Sequence, residues 1–150
     1  MQAYWFLGDL VIVHLSGEGT QGRFSLLEFL QPPGYMTPLH VHKGADQAFY
    51  VLEGEVALHL PGQSLAAGPG ESAYGPVDVP HADQTTSAEP ARFLMVNSPA
   101  GFERFVAEVG QPAESLTLPP PPDSPPDVQQ LAAVAAEHGI EILGPPGALP

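Results

Sequence analysis

Apolar and polar positions alternate in short bursts along most of this chain. Residues 10–15, Leu-Val-Ile-Val-His-Leu, form a β-branched run that ends in the turn-rich Ser16-Gly-Glu-Gly-Thr-Gln-Gly22, which predicts a strand and then a loop. A second strand is predicted over 23–30, stopped by Pro32-Pro33-Gly34. Residues 47–52 and 55–60 flank Glu53-Gly54 and read as a hairpin. Pro61-Gly62 and Gly68-Pro69-Gly70 punctuate the next turns, and short strands are predicted over 71–74, 81–86 and 92–96. Short strands separated by turn signals predict an all-β antiparallel sandwich or barrel.

After Ser98-Pro99 the period changes. Phe102, Phe105, Val106 and Val109 recur at helical spacing, predicting a helix over 101–109. The proline-rich stretch 118–126 must be extended, because proline lacks the amide hydrogen and fixes φ. Ser124 is positioned to cap a second helix running from Pro125 to Gly139, with Val128, Leu131, Val134, Ala135 and His138 on one face. The tail 140–143 has the apolar character to dock back on the body. Residues 1–110 thus read as one β-barrel domain and 111–150 as a helical appendage packed on it, too small to bury a core alone.

Composition narrows the function. Nineteen Pro and sixteen Gly among 150 residues suit many turns and short elements. Arg23, Lys43, Arg92 and Arg104 are the basic residues against seventeen acidic ones, a net charge of −13. That field repels nucleic acid and anionic lipid, so neither is an expected partner. With no cysteine there is neither a disulfide framework nor a thiolate metal site. The N-terminus lacks the pattern of a signal peptide, and no apolar run reaches membrane-span length. A cytoplasmic protein is expected. Apolar residues on both faces of the second strand (Phe24 and Leu26 opposite Leu27 and Phe29) lead to the expectation of a homodimer.

The candidate chemistry lies in the histidines. His40 and His42 are two residues apart and share a face if the backbone is extended. Gln47 follows across a short turn, and strand parity then turns Phe49 and Val51 inward with it, and Ala48 and Tyr50 outward. His81 opens a later strand. Three neutral imidazoles suit several divalent metals, with an amide oxygen as a weaker fourth ligand.

These residues carry a family resemblance. The stretch Gly34, five residues, His40-x-His42, four residues, Gln47, six residues, Gly54 resembles the first cupin motif. Gly70, five residues, Pro76, x, Asp78, two residues, His81, three residues, Thr85 resembles the second, fifteen residues after Gly54. The chain is similar to small single-domain bacterial cupins of the quercetin dioxygenase-like group. The resemblance implies a double-stranded β-helix (jelly-roll) barrel and one divalent metal ion (Fe, Mn, Ni, Zn, Co or Cu) held by His40, His42 and His81, with Gln47 as the available fourth ligand. The family pattern has Glu at position 47, Gly at 78 and Asn at 85. In flavonol-cleaving relatives that glutamate is both ligand and base, and a glutamine cannot take the proton.

Asp83 follows His81 by two and shares its face in a regular strand, making it the candidate replacement carboxylate; Asp46 should face away. Tyr74, Phe49, Val51, Phe93 and Met95 are candidate pocket wall, and the helix with Phe102 and Phe105 a candidate cover. His14, His59 and His138 read as ordinary surface or capping histidines. The resemblance implies a metal-dependent, dioxygenase-like oxidoreductase acting on a small phenolic, flavonoid or 1,3-dicarbonyl substrate. The alternatives are a non-redox metal-dependent cyclase or isomerase, or a small-molecule-binding cupin without turnover.

Overall fold

A computed structural model describes residues 2–150. Its elements are β1 (Gln2–Phe6), β2 (Asp9–Leu15), α1 (Gly17–Thr20), β3 (Ser25–Gln31), β4 (Pro38–His42), β5 (Asp46–Glu53), β6 (Val56–Leu60), β7 (Gln63–Ala67), β8 (Ser72–Gly75), β9 (Ala82–Thr85), β10 (Ala91–Ser98), α2 (Phe102–Val109), β11 (Gln111–Pro112), α3 (Val128–Glu137) and β12 (Ile140–Pro146). Every strand pairing is antiparallel. One sheet runs β11-β1-β2-β3-β10-β5-β8; β7-β6-β9 and β12-β4 make two smaller ones. Bridges at Met36↔Gln84 and His40↔His81 join these two into a second layer.

Alternation builds the core between the layers. Leu27 and Phe29 of β3, Phe49 and Val51 of β5, and Phe93 and Met95 of β10 bury one face of the large sheet against Val56, Leu58 and Leu60 of β6. Phe29 and Phe93 stack with centroids 5.2 Å apart. The parity expected of β5 holds: Gln47, Phe49 and Val51 are buried, Ala48 and Tyr50 exposed. Of the apolar residues placed on both faces of the second strand, Leu27 and Phe29 are core, whereas Phe24 precedes β3 and is exposed.

Two expectations are corrected. Glu53-Gly54 is not a hairpin: β5 pairs with β10 and β8, and β6 with β7 and β9, so the chain turns a corner from one layer to the other. Gly54 has φ +74 there, and a Cβ would stand 2.9 Å from both Ala91 Cα and Pro90 O, so glycine is required. The last helix begins at Val128, and its cap is Asp127, not Ser124. Asp127 Oδ1 accepts from the Gln129 and Gln130 amides, a pair that Ser124 cannot match because Pro126 has no amide hydrogen. Val128 is consequently exposed, and Leu131, Val134 and Ala135 make the packed face.

Residues 111–150 contribute strands to both layers. β11 pairs with β1 at the edge of the large sheet, and β12 pairs with β4, placing Ile140 opposite His42 and Ile142 opposite His40. Among the described residues no helix is long and apolar enough to cross a membrane.

Candidate metal centre

The site begins with β4. Extended backbone sends His40 and His42 to the same side. The two-residue bridge, His40 N to His81 O at 3.1 Å and His81 N to His40 O at 2.8 Å, brings His81 across from them. One ring nitrogen from each of the three lies within 4.8 Å of the others. His40 Nδ1 donates to Pro38 O at 2.6 Å, which leaves the Nε2 lone pair free. His42 Nε2 is buried without a hydrogen-bond partner. Such an orphan is costly in an empty cluster and is satisfied by a cation, so the donor set fits a mononuclear metal.

Electrostatics agree. Burial lowers the pKa of all three imidazoles, and neighbouring histidines push His42 and His81 further down, His81 to about 3. Neutral imidazoles keep the lone pairs that a metal needs.

Gln47 lies at the edge of the cluster, its Oε1 3.0 Å from His81 Nε2. Its amide is pinned. Nε2 donates to Asn97 Oδ1 at 2.8 Å and to the Met95 sulfur at 3.4 Å, so the carbonyl oxygen is the end that faces the histidines. Asn97 Nδ2 in turn donates to Ser25 Oγ at 3.5 Å. Gln47, Asn97 and Ser25 are direct register partners across β5, β10 and β3. The amide at 47 is therefore one link in a polar row that crosses the large sheet.

An aromatic-walled cavity opens beside the histidines, with about 610 Å³ of empty space counting its mouth. Phe6, Phe29, Tyr35 and Met95 line it, and Phe102 and Phe105 of α2 close one side, as the candidate cover requires. Ile140 and Ile142 of β12 add a wall that sequence reading did not place there. Asp83, buried, also lines it. Asp46 faces away and accepts from the Tyr74 hydroxyl and the Val77 amide.

Not every candidate wall residue reaches the cavity. Tyr74 is 53% exposed on the outer face, held there by Asp46, because it sits one position out of phase with the inward side of β8. Phe49, Val51 and Phe93 are closed into the core instead. His14 meets Glu28, His59 meets Ser64 and Gln84, and His138 meets Glu108, and none of them joins the three-histidine cluster.

Sequence reading missed Asn97, Gln31 and Asp9. The first two carry one usable signal: a polar residue at an inward position of an alternating strand, after Phe93 and Met95 in β10 and after Leu27 and Phe29 in β3. Asp9 carries none, since it follows a turn at the head of an apolar strand.

Comparison with known proteins is consistent with this geometry. Residues 27–97 match the cupin domain family. The quercetin 2,3-dioxygenase of Bacillus subtilis is 27% identical over 107 residues, 71% of this chain and 32% of that protein. An uncharacterised protein of Methanocaldococcus jannaschii is 29% identical over 75 residues, 50% of this chain and 60% of that one. The chain thus spans less than two thirds of the length of either. Among solved structures, the polyketide cyclase RemF of Streptomyces resistomycificus is 32% identical with a TM-score of 0.54, covering 63% of this chain and 67% of that one.

Proposed function

The chain belongs to the cupin superfamily, and from that premise we propose that it is a metal-dependent enzyme acting on a small phenolic, flavonoid or 1,3-dicarbonyl substrate. The observation that carries this reading is the orphaned, buried His42 Nε2 converging with His40 and His81 at one end of an aromatic cavity. A divalent cation held there supplies Lewis-acid stabilisation of an enolate or phenolate oxygen.

The protein's own groups divide the remaining work. Gln47 offers Oε1 as a fourth donor or as an acceptor that orients a ligand, and its amide cannot take a substrate proton. Asp83 is the carboxylate placed to take it. Burial raises its pKa, while His40 and the Gln31 amide draw it back down. A raised but ionisable carboxylate suits a general base. Phe102 and Phe105 exclude water from the same space.

A donor set of neutral side chains leaves the site one negative charge poorer than a glutamate at position 47 would. That charge balance supports anion binding and cyclisation or isomerisation, in keeping with the likeness to a polyketide cyclase. The dioxygenase form of the reading is supported by the likeness to quercetin 2,3-dioxygenase.

Metal analysis of protein expressed in varied media should find one ion per chain, lost in His40→Ala, His42→Ala and His81→Ala. No stoichiometric metal would sink every enzyme form of the reading. Conversion of a 1,3-diketone under nitrogen, with no oxygen uptake on flavonols, is the expected outcome for the native chain. Gln47→Glu should then create oxygen uptake. Uptake by the native protein selects the dioxygenase form instead. Asp83→Asn should lower kcat by about 100-fold with metal content unchanged.

A further inference from the structure

Two cavities adjoin His42, and the chemistry proposed above uses one of them. The second is a recess with about 440 Å³ of empty space counting its mouth. Lys43, Asn97 and His138 give it a polar lining, in contrast to the aromatic and aliphatic walls of the first.

Three residues line both spaces: His42, Phe102 and Ile140. They are therefore the wall between them. Two of the three are fixed by their strands. His42 is held on β4 within the histidine cluster, and Ile140, buried in the core, is set opposite it by the β12–β4 register. Phe102 is placed differently. It is the first residue of α2 and only half-buried, and its ring stands edge-on to the His42 imidazole, with centroids 5.2 Å apart and planes at 78°. The same ring packs against Phe105 at 5.9 Å, Phe6 at 6.2 Å and Phe29 at 6.4 Å. A phenyl group wedged in this way fills the gap that would otherwise join the aromatic space to the polar one.

We propose that Phe102 is a specificity-determining residue: it closes the aromatic cavity at His42, so the site takes 1,3-dicarbonyl ligands with an aromatic group on one side of the chelating oxygens and a small group on the other. This selectivity rests on the metal-centred reading given above. A ligand whose oxygens face the three histidines lays one flat ring in the aromatic cavity, beside Phe29 and Tyr35. A second ring has to continue past His42, where Phe102 stands. Exclusion of this kind discriminates by what it forbids rather than by a new attraction to the accepted ligand. Removing the Phe102 side chain leaves a ring-shaped space among Phe6, Phe29 and Phe105, which a second phenyl group of the ligand fills.

Two diketones test the partition. 1-Phenyl-1,3-butanedione carries one phenyl and one methyl on its chelating pair, and 1,3-diphenyl-1,3-propanedione carries two phenyls. Calorimetry on zinc-loaded protein gives both affinities, and their ratio is the readout, because Phe102 contributes wall to both complexes. Native protein should favour the monophenyl compound by about tenfold or more, and Phe102→Ala should bring the ratio to about one or reverse it. Phe102→Leu, with a smaller apolar side chain, should fall between. Native protein that binds both diketones equally overturns the proposal whether or not Phe102→Ala folds. A ratio that both variants leave unchanged overturns it as well, and leaves the metal reading standing. A crystal structure of metal-free Phe102→Ala supplies a reading that needs no ion: one continuous cavity past His42 is expected, and two cavities, with Phe105 moved into the gap, overturn the partition. Protein that takes up no zinc, or zinc-loaded protein that binds neither diketone, overturns the metal-centred reading itself, and the selectivity assigned to Phe102 with it.

Discussion

Asp78 occupies a left-handed backbone conformation, φ 62, where the family pattern has glycine. It tolerates that position because its side chain is put to use: Oδ1 accepts from the Gly44 amide at 2.9 Å, while its own amide donates to His42 O at 3.2 Å. The pair of bonds holds the 43–45 turn beside His40 and His42. Asp78→Gly exchanges the side-chain bond for a relaxed backbone and should be close to neutral. Asp78→Ala loses the bond and keeps the strain, so it should cost about 1–2 kcal/mol in urea unfolding. A second consequence at this scale concerns pH. The folded chain holds His81 at about 3 against an ordinary value of 6.5, with His40 and His42 also lowered by burial. The unfolded chain takes those protons first, so this contribution is whole above pH 6.5 and is lost as pH falls toward about 3. Asp9 works in the opposite sense: its raised pKa favours folding at low pH, and that contribution fades as pH rises through the raised value. Asp83, also raised by burial, acts in the same sense as Asp9, so urea midpoints of metal-free protein should fall only shallowly as pH drops below 6.5. Zinc-saturated protein should fall more steeply, because protons then also expel the ion.

Among the elements, β12 matters out of proportion to its place near the C-terminus. It supplies the hydrogen-bonding edge for β4, the strand carrying His40 and His42, and Ile140 and Ile142 form cavity wall. Ile140 is 5% exposed and belongs to the core cluster. Ile140→Ala should cost about 2–4 kcal/mol by chemical denaturation. It should also weaken zinc binding, measured by calorimetry, since the register of β4 is set against it; an unaltered zinc affinity would mean β4 holds its shape alone. The docking of residues 140–143 was legible as an apolar run after a helix stop, but its pairing partner was not, because nothing local names β4. β7 was missed for another reason: four of its five residues are exposed, so Gln63–Ala67 shows no alternation to read. The corner at Gly54 looked like a hairpin because the turn chemistry is the same, and only the packing of Pro90 and Ala91 against it distinguishes the two. The three histidines and Gln47 were legible through spacing. Asp9, Gln31 and Asn97 join the site only when β2, β3 and β10 lie side by side.

For the whole molecule, a net charge of −13 opposes self-association, and any contact between copies must be made by surface poor in acids. The outer face of the large sheet carries an apolar row whose flanking acids are occupied, Asp46 by the Tyr74 hydroxyl and Glu28 by Arg92. Successive register partners there are Leu15, Leu26, Val96, Ala48 and Tyr74, from β2 through β3, β10 and β5 to β8. Leu15, Val96 and Tyr74 are 42%, 37% and 53% exposed, and Tyr50 and Leu52 extend the patch along β5. We propose that this row is the face through which two copies pair, which is the homodimer expected from the sequence. It lies on the side of the sheet away from the cavity, so pairing leaves the three-histidine cluster accessible. Sedimentation of the native protein at micromolar concentration should show a dimer that added salt strengthens, because salt screens the repulsion between two acidic bodies. Val96→Glu should place a charge opposite its own copy and give a monomer with unchanged metal content, since Val96 faces out while its neighbours Met95 and Asn97 face the site. A native protein that stays monomeric, or a Val96→Glu dimer as tight as the native one, would place the contact elsewhere or nowhere on this face.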